Sequence, residues 1–188
     1  VELFKNNTMT FVAGSSWQPD EDLFIEYFNQ HPEVKLVIAP HVIDENHLVE
    51  IIRKLKRPYV RYTRADEKNV RKADCLIIDC FGLLSSIYRY GEIAYIGGGF
   101  GVGIHNTLEA AVYGIPVIFG PKYQKFQEAI QLLEAKGAFS VKDYEELKTL
   151  LDRMLTDEVF LRESGMNASN YVTGNAGATD KIMSMINF

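Results

Sequence analysis

Seven short apolar runs rich in β-branched residues alternate along this chain with longer segments of helical period, and few folds accept that alternation. A strand–helix rhythm repeated this regularly predicts an α/β fold, a doubly wound parallel sheet with helices on both faces. The runs place strands near Thr10–Ala13, Lys35–Ala39, Tyr59–Tyr62, Ala73–Ile78, Ile93–Ile96, Pro116–Phe119 and Ala138–Val141. Helices are predicted near Pro19–Gln30, Glu45–Leu55, Leu83–Tyr90, Thr107–Tyr113, Tyr123–Ala135 and Tyr144–Leu155. Pro19 followed by Asp20, Glu21 and Asp22 marks a helix start, because proline suits the first turn and acids offset the dipole. Gly114 and Gly137 read as helix stops. After Asp157 the chain reads as helical to its end, with a break over Gly174 to Gly177. Phe24 and Phe28 share one helical face and read as core.

With 188 residues and 47% hydrophobic content the chain can bury a substantial core, in one main domain. We place that domain at residues 1–175 and assign 176–188 to a separate C-terminal helix. The formal net charge of −5 gives no general attraction to nucleic acid. No apolar run approaches the roughly 18 to 20 residues needed to span a bilayer, and the first residues lack the basic-then-apolar pattern of a signal peptide. Cys75 and Cys80 flank the run Leu76-Ile77-Ile78, a spacing expected of free thiols at strand positions. Val1-Glu2-Leu3-Phe4 leads almost directly into the first strand without an initiator methionine, as expected of an excised domain.

In an open parallel sheet, ligands bind beyond the carboxyl ends of the strands. The loops expected there are Gly14-Ser15-Ser16, Pro40-His41, Cys80-Phe81-Gly82, Gly120-Pro121-Lys122-Tyr123 and, most prominently, the segment from Gly97 to His105. That segment holds five glycines in seven residues and runs into the helix start Asn106-Thr107-Leu108-Glu109. Glycine amides approach a ligand without a Cβ in the way, and the helix start adds unpaired donors, so an anion is the first ligand to consider. Lys122 and Lys125 add positive charge nearby, whereas the helix after Ser16 is a poor anion site because Asp20, Glu21 and Asp22 occupy its positive end. Glu109 suits ribose hydroxyls. The same four residues also fit a capping box, with the Asn106 side chain accepting the Glu109 N–H and Glu109 reaching back to the Asn106 N–H. His41 and His105 read either as ligand contacts or as packed histidines, and Ser15 and Ser16 as helix-entry caps. The chain carries no catalytic triad, no metal-ligand spacing and no Walker-type lysine.

The order Gly97-Gly98-Gly99, His105-Asn106-Thr107-Leu108-Glu109-Ala110-Ala111, Gly114-Ile115-Pro116-Val117-Ile118-Phe119-Gly120-Pro121 and Lys125-Phe126 resembles the 3-deoxy-D-manno-octulosonic acid (Kdo) transferase family. Ala13-Gly14-Ser15-Ser16 and Ile78-Asp79-Cys80-Phe81-Gly82-Leu83-Leu84 add to it, so that the likeness spans residues 9–135. The resemblance implies the C-terminal, Rossmann-like donor-binding domain of a GT-B glycosyltransferase. It implies a metal-independent, inverting transfer without cofactor, with CMP-Kdo as donor and a lipid A precursor as acceptor, at the cytoplasmic face of the bacterial inner membrane. On this pattern Gly14 and Ser15 line the cleft, Pro40, His41 and Gly82 surround the cytosine, and Gly98, Asn106, Glu109 and Lys122 hold phosphate and ribose. The family has an Arg–His pair after the second strand where this chain has Pro40-His41, which leaves that contact to His41 or a lysine. The resemblance also assigns the catalytic carboxylate to an N-terminal domain, which the helix at 176–188 is expected to touch, so no catalytic residue is expected in this chain. Two other readings fit the residues: a GT-B transferase or epimerase using a UDP-sugar, and a non-catalytic nucleotide-binding module.

Overall fold

The computed structural model describes residues 1–101 and 103–175. The C-terminal helix expected over 176–188 lies outside the described residues. Among them the strands are β1 (Met9–Ser16), β2 (Val34–Pro40), β3 (Tyr59–Arg61), β4 (Cys75–Ile77), β5 (Ile93–Ile96), β6 (Val117–Phe119) and β7 (Ala138–Ser140). They form one sheet in the order β3-β4-β2-β1-β5-β6-β7, every pair parallel, as the alternation predicts.

Alternate residues of each strand feed opposite cores, because successive side chains leave a strand on opposite faces. Leu36, Ile38, Ile93, Tyr95 and Ile118 pack on one face under α2 (Gln18–Gln30), α3 (Glu45–Lys54) and α8 (Tyr144–Thr156). Val37, Ala39, Ala94, Ile96, Val117 and Phe119 face the other way, under α5 (Leu84–Ile87), α6 (Leu108–Ala111), α7 (Gln127–Glu134) and α9 (Glu158–Asn175). Phe24 and Phe28 are buried in the first of these layers, as their helical spacing predicts. Both cysteines are free thiols.

The differences from the periodic reading fall where elements are short. Helices α1 (Glu2–Lys5) and α4 (Glu67–Lys72) span too few residues to show a period, and the sequence reading missed both. Helix α4 is held by its ends: Asp66 accepts from the amides of Lys68 and Asn69, and the Asn69 side chain accepts the Asp66 N–H. Segment 83–90 is one α-turn followed by a 3₁₀ turn, Tyr88–Tyr90. Helix α7 begins at Gln127, four residues later than expected, because Lys122 first bonds the Gly99 carbonyl and Tyr123–Phe126 then closes a turn of its own. Helix α6 is a single turn that ends before Gly114, and α9 runs unbroken through Gly174 to Asn175.

The order of the strands reverses direction at β1, which lies between β2 and β5. Such a reversal opens a crevice at the carboxyl ends, since the helices following the two central strands leave on opposite faces. The glycines of the β5 exit serve this junction. A Cβ on Gly97 would lie 2.2 Å from the Ser15 carbonyl oxygen, and one on Gly99 would lie 2.6 Å from the Gly120 backbone.

Helix α2 is fastened to the same junction by its own first turn. Asp20 is only 1% exposed, and its carboxylate accepts the Tyr95 hydroxyl at 3.0 Å, the Gly98 N–H at 2.9 Å and the Trp17 N–H at 3.0 Å. Burial pushes its pKa up against the pull of those three bonds. Next to it, fully buried Glu21 accepts the Ser16 hydroxyl at 3.0 Å and faces His47 Nε2 at 2.9 Å. The acids do stand in the first turn of α2, as expected, with Asp20 and Glu21 turned inward and Asp22 paired with Lys54 at 2.6 Å.

Two substitutions test this junction. Gly97→Ala has no room against backbone and is expected to lower stability in urea by about 1 to 3 kcal/mol or more. Asp20→Ala strands buried amides of Gly98 and Trp17 and is expected to cost about 2 to 4 kcal/mol. Asp20→Asn keeps an acceptor for those amides and removes the buried charge, so its loss should be clearly smaller. Equal losses for Ala and Asn would remove the hydrogen bonds from this account.

Candidate functional site

The carboxyl end of β1 is bent before any ligand is considered. The pairing of β1 with β2 slips between Gly14 and Ser16, a bulge that leaves Ser15 at φ 52°, in the left-handed region that a serine rarely adopts. Gly14 has no substitute here, since a Cβ would sit 1.9 Å from the Tyr88 hydroxyl and 2.8 Å from Leu84. The bent strand end, the Pro40-His41 exit of β2 and the loop after β4 enclose a cleft of about 220 Å³ lined by Ser15, Pro40, His41, Cys80, Phe81 and Gly82, among others. Gly82 takes φ +85°, which lets that loop turn toward the cleft. Phe81 projects at its rim, 80% exposed.

Ser15, Pro40, His41 and Gly82 are therefore neighbours around one cleft, whereas Gly14 lies within β1 against Tyr88 and Leu84 and does not line it. Trp17, which the sequence reading did not select, joins them. Its ring stacks on His41 at 4.7 Å between centroids, and His41 stacks in turn on His105 at 4.4 Å. The indole N–H donates to His105 Nε2 at 3.2 Å. Indole nitrogen only donates, so Nε2 must be the unprotonated nitrogen and His105 a neutral ring carrying its proton on Nδ1. Burial first, and the neighbouring His41 second, hold the His105 pKa below the ordinary histidine value, in agreement with that bond.

The glycine segment itself is more occupied than the sequence suggests. Gly98, at φ +93°, gives its N–H to Asp20, while its carbonyl accepts from the amides of Gly101 and Gly103. The Gly97 amide bonds to Gly14 and the His105 amide to Gly97. The Gly98 amide is therefore committed to the fold rather than open to a phosphate. Helix α6 has only four residues, too few for a strong dipole end.

Asn106 and Glu109 lie side by side at the start of α6, and the expected capping box forms only in part. Asn106 Oδ1 accepts the Leu108 N–H at 3.0 Å, one residue earlier than expected, and its side-chain amide donates to Glu109 Oε1 at 3.3 Å. Glu109 reaches the Asn106 side chain, not its backbone, and remains half-buried with its second oxygen available. Its charge helps hold the buried Tyr88 phenol in the neutral form, after burial itself. Lys122 lies across the glycine segment, its ammonium 3.1 Å from the Gly101 carbonyl. With Lys125, Gln124, Phe126, Gly101 and Gly103 it lines a second cleft of about 250 Å³. Of the candidate residues, Ser15, Pro40, His41 and Gly82 line the first cleft and Lys122 lines the second, whereas Gly14, Gly98, Asn106 and Glu109 line neither. Among the described residues no group of three His, Cys, Asp or Glu side chains is arranged to hold a metal ion.

No family model matches the chain. The curated 3-deoxy-D-manno-octulosonic acid transferase of Aquifex aeolicus is 34% identical over 151 residues, covering 77% of this chain and 41% of that protein. The protein of the same name from Rickettsia typhi is 25% identical over 195 residues, covering 99% of this chain and 42% of that one. The chain thus spans about two fifths of the length of these relatives. Among solved structures, the C-terminal CMP-Kdo binding domain of WaaA from Acinetobacter baumannii has a TM-score of 0.78 at 18% identity, over 91% of this chain and 92% of that one. Anabaena HepE in complex with UDP and glucose shares the fold at a TM-score of 0.67 and 13% identity, over 97% of this chain and 50% of that one. Sequence and fold agree: the chain belongs to the 3-deoxy-D-manno-octulosonic acid transferase family and has the Rossmann-like fold of a GT-B glycosyltransferase's C-terminal domain.

Proposed function

We propose that this chain is the donor-binding domain of a Kdo transferase and holds CMP-Kdo across the two clefts. The observation that carries the reading is the gathering of Ser15, Pro40, His41 and Gly82 around one cleft at the sheet's reversal point, with Glu109 and Lys122 nearby, in a chain of this family. The cytosine lies in the first cleft against Pro40, His41 and Gly82. Glu109 accepts from the ribose hydroxyls, with Asn106 beside it. Lys122 and Lys125 face the phosphate and take the charge that grows on CMP as it leaves, a task that falls to them because Gly98 and the one-turn α6 contribute little. A carboxylate from a facing N-terminal domain would deprotonate the acceptor hydroxyl for attack on the anomeric carbon, with inversion. The acceptor on this reading is a lipid A precursor, and the whole protein works at the cytoplasmic face of the bacterial inner membrane. The domain alone binds donor without turnover.

Calorimetric titration with CMP and UDP tests the donor. CMP is expected to bind more tightly than UDP, and Glu109→Ala to weaken CMP by about 1 to 3 kcal/mol through loss of a charged hydrogen bond. A preference for UDP would instead favour a UDP-sugar transferase or epimerase, and no binding of either would favour a packing role for the glycine segment. Unchanged CMP affinity in a folded Glu109→Ala variant would take Glu109 out of the site.

The wall offered to the base depends on a neutral His105. A histidine whose folded pKa is lowered contributes stability that is complete above the unfolded value of about 6.5 and lost as pH falls through the folded one. In the nucleotide-free protein, the His105 ring is therefore expected to titrate by NMR below about 6.5. The fluorescence of Trp17, the chain's single tryptophan, should change with the same midpoint as its bond to Nε2 breaks. His41→Asn should move the His105 midpoint upward; a midpoint above 6.5 in the unaltered protein would contradict the assigned tautomer.

A further inference from the structure

His41 lines the first cleft, yet residues 41–44 belong to neither strand nor helix. The residue is exposed, and its ring stacks between Trp17 and His105. Stacking holds a ring against its neighbours without fixing the backbone from which the ring projects. Hydrogen bonds fix that backbone on both sides of His41. Its N–H donates to the Ser16 carbonyl at 2.9 Å, and one residue on, the Val42 carbonyl faces His47 Nδ1 at 3.0 Å. A carbonyl only accepts, so Nδ1 carries a proton and His47 is the donor.

The other ring nitrogen of His47 is committed as well. Nε2 meets both oxygens of Glu21, at 3.0 and 2.9 Å, and Glu21 accepts the Ser16 hydroxyl at 3.0 Å. Ser16, Glu21, His47, Val42 and His41 thus close a ring of contacts drawn from β1, α2, α3 and the exit of β2. Glu21 is fully buried and the His47 side chain only 13% exposed, so little water competes for these bonds. Burial pushes the Glu21 pKa up, against the pull of His47 and then of Ser16 and Lys54. A proton therefore lies between Nε2 and the carboxylate. Whichever atom carries it, Nδ1 keeps its own proton for Val42, since the bond at one imidazole nitrogen sets the state of the other.

With both nitrogens engaged and no place in the cleft wall, His47 has no contact of its own to offer a ligand. We infer that His47 is a positioning residue that holds the His41 loop at the first cleft, with Glu21 orienting the His47 ring. What His41 meets rests on the donor reading given above; how His41 is held rests on these hydrogen bonds alone. A site whose binding-competent pose is populated only in part loses apparent affinity by that fraction, so a loosened loop weakens nucleotide binding without any lost contact to nucleotide.

Two amide variants separate holding the loop from holding the fold. In His47→Gln the side-chain amide reaches Glu21 as Nε2 does and leaves Val42 without its donor; in His47→Asn the amide nitrogen stands where Nδ1 does and leaves Glu21 without its partner. His47→Gln is expected to keep a urea midpoint close to that of the unaltered protein and to lose roughly tenfold in CMP affinity, about one hydrogen bond's worth. His47→Asn should have the lower urea midpoint of the two and still bind CMP more tightly than the Gln variant. A merely structural histidine would give the opposite order, with affinity following stability. NMR without nucleotide reads the same hold directly. The His41 ring protons, shifted by the Trp17 and His105 ring currents, should move toward exposed-histidine positions in the Gln variant and stay in place in the Asn variant. Unmoved His41 signals in the folded Gln variant, or an affinity order that follows stability, would overturn the role of His47. Failure of the unaltered protein to bind CMP would strike the donor reading instead, and the nucleotide-free His41 signals would then decide the role of His47 by themselves.

Discussion

The buried carboxylate of Asp20 is the contact on which the site end of this fold depends. A charge taken out of water is tolerated only when several donors surround it, and here the donors come from separate parts of the chain: Trp17 where β1 passes into α2, Tyr95 on β5, and Gly98 just beyond β5. One side chain thereby ties the start of α2 to the exit of the neighbouring central strand. The Trp17 backbone bond has a further effect, because it fixes the residue whose indole reaches His105 and stacks on His41. The tautomer of His105 is thus set by a chain of contacts that begins at a helix N-terminus.

This arrangement changes what the glycines are for. Their density after β5 reads as a cradle for an anion, yet Gly97 and Gly99 are needed because backbones of neighbouring loops approach closer than a Cβ permits. Gly98 is needed for its positive φ and spends its amide on Asp20. The side chains left open stand at the margins of the segment: His41 lines the first cleft with His105 stacked on it, and Lys122 lines the second. The glycine segment acts chiefly as a spacer that lets these groups come from different strands and still meet.

The sheet was legible in the sequence because its strands are short, β-branched runs separated by segments long enough to show a helical period. Helices α1 and α4 were not, since each holds too few turns for any period to appear. The site divides in the same way. Ser15, Pro40, His41 and Gly82 could be placed around one cleft from sequence because each was read at the carboxyl end of a strand, where topology alone brings residues together. Asp20 and Trp17 were not found, because their roles depend on orientation. An acid in a helix's first turn has the same local pattern whether it faces water or core, and only the partners Tyr95 and Gly98, more than seventy residues away, decide between them. The capping box at Asn106 shows the reverse case, a local pattern that was legible and only half realised, since Asn106 caps Leu108 and meets Glu109 by its side chain.

That partial cap bears on how an anion would be held. A full capping box would spend one Asn106 oxygen on the Glu109 N–H and one Glu109 oxygen on the Asn106 N–H, whereas here Asn106 Oδ1 accepts the Leu108 N–H and Glu109 Oε1 accepts the Asn106 side-chain amide, ahead of a single-turn α6. A single turn aligns few peptide dipoles, so it attracts an anion weakly. Positive charge near the glycine segment must then come from side chains, and the cations lining the second cleft are Lys122 and Lys125. Flexible lysines differ from a fixed helix end in one respect that matters for a leaving group. Their charge moves with a flexible side chain, while the stack built on Asp20, Trp17, His41 and His105 is held in place by its own hydrogen bonds and ring contacts.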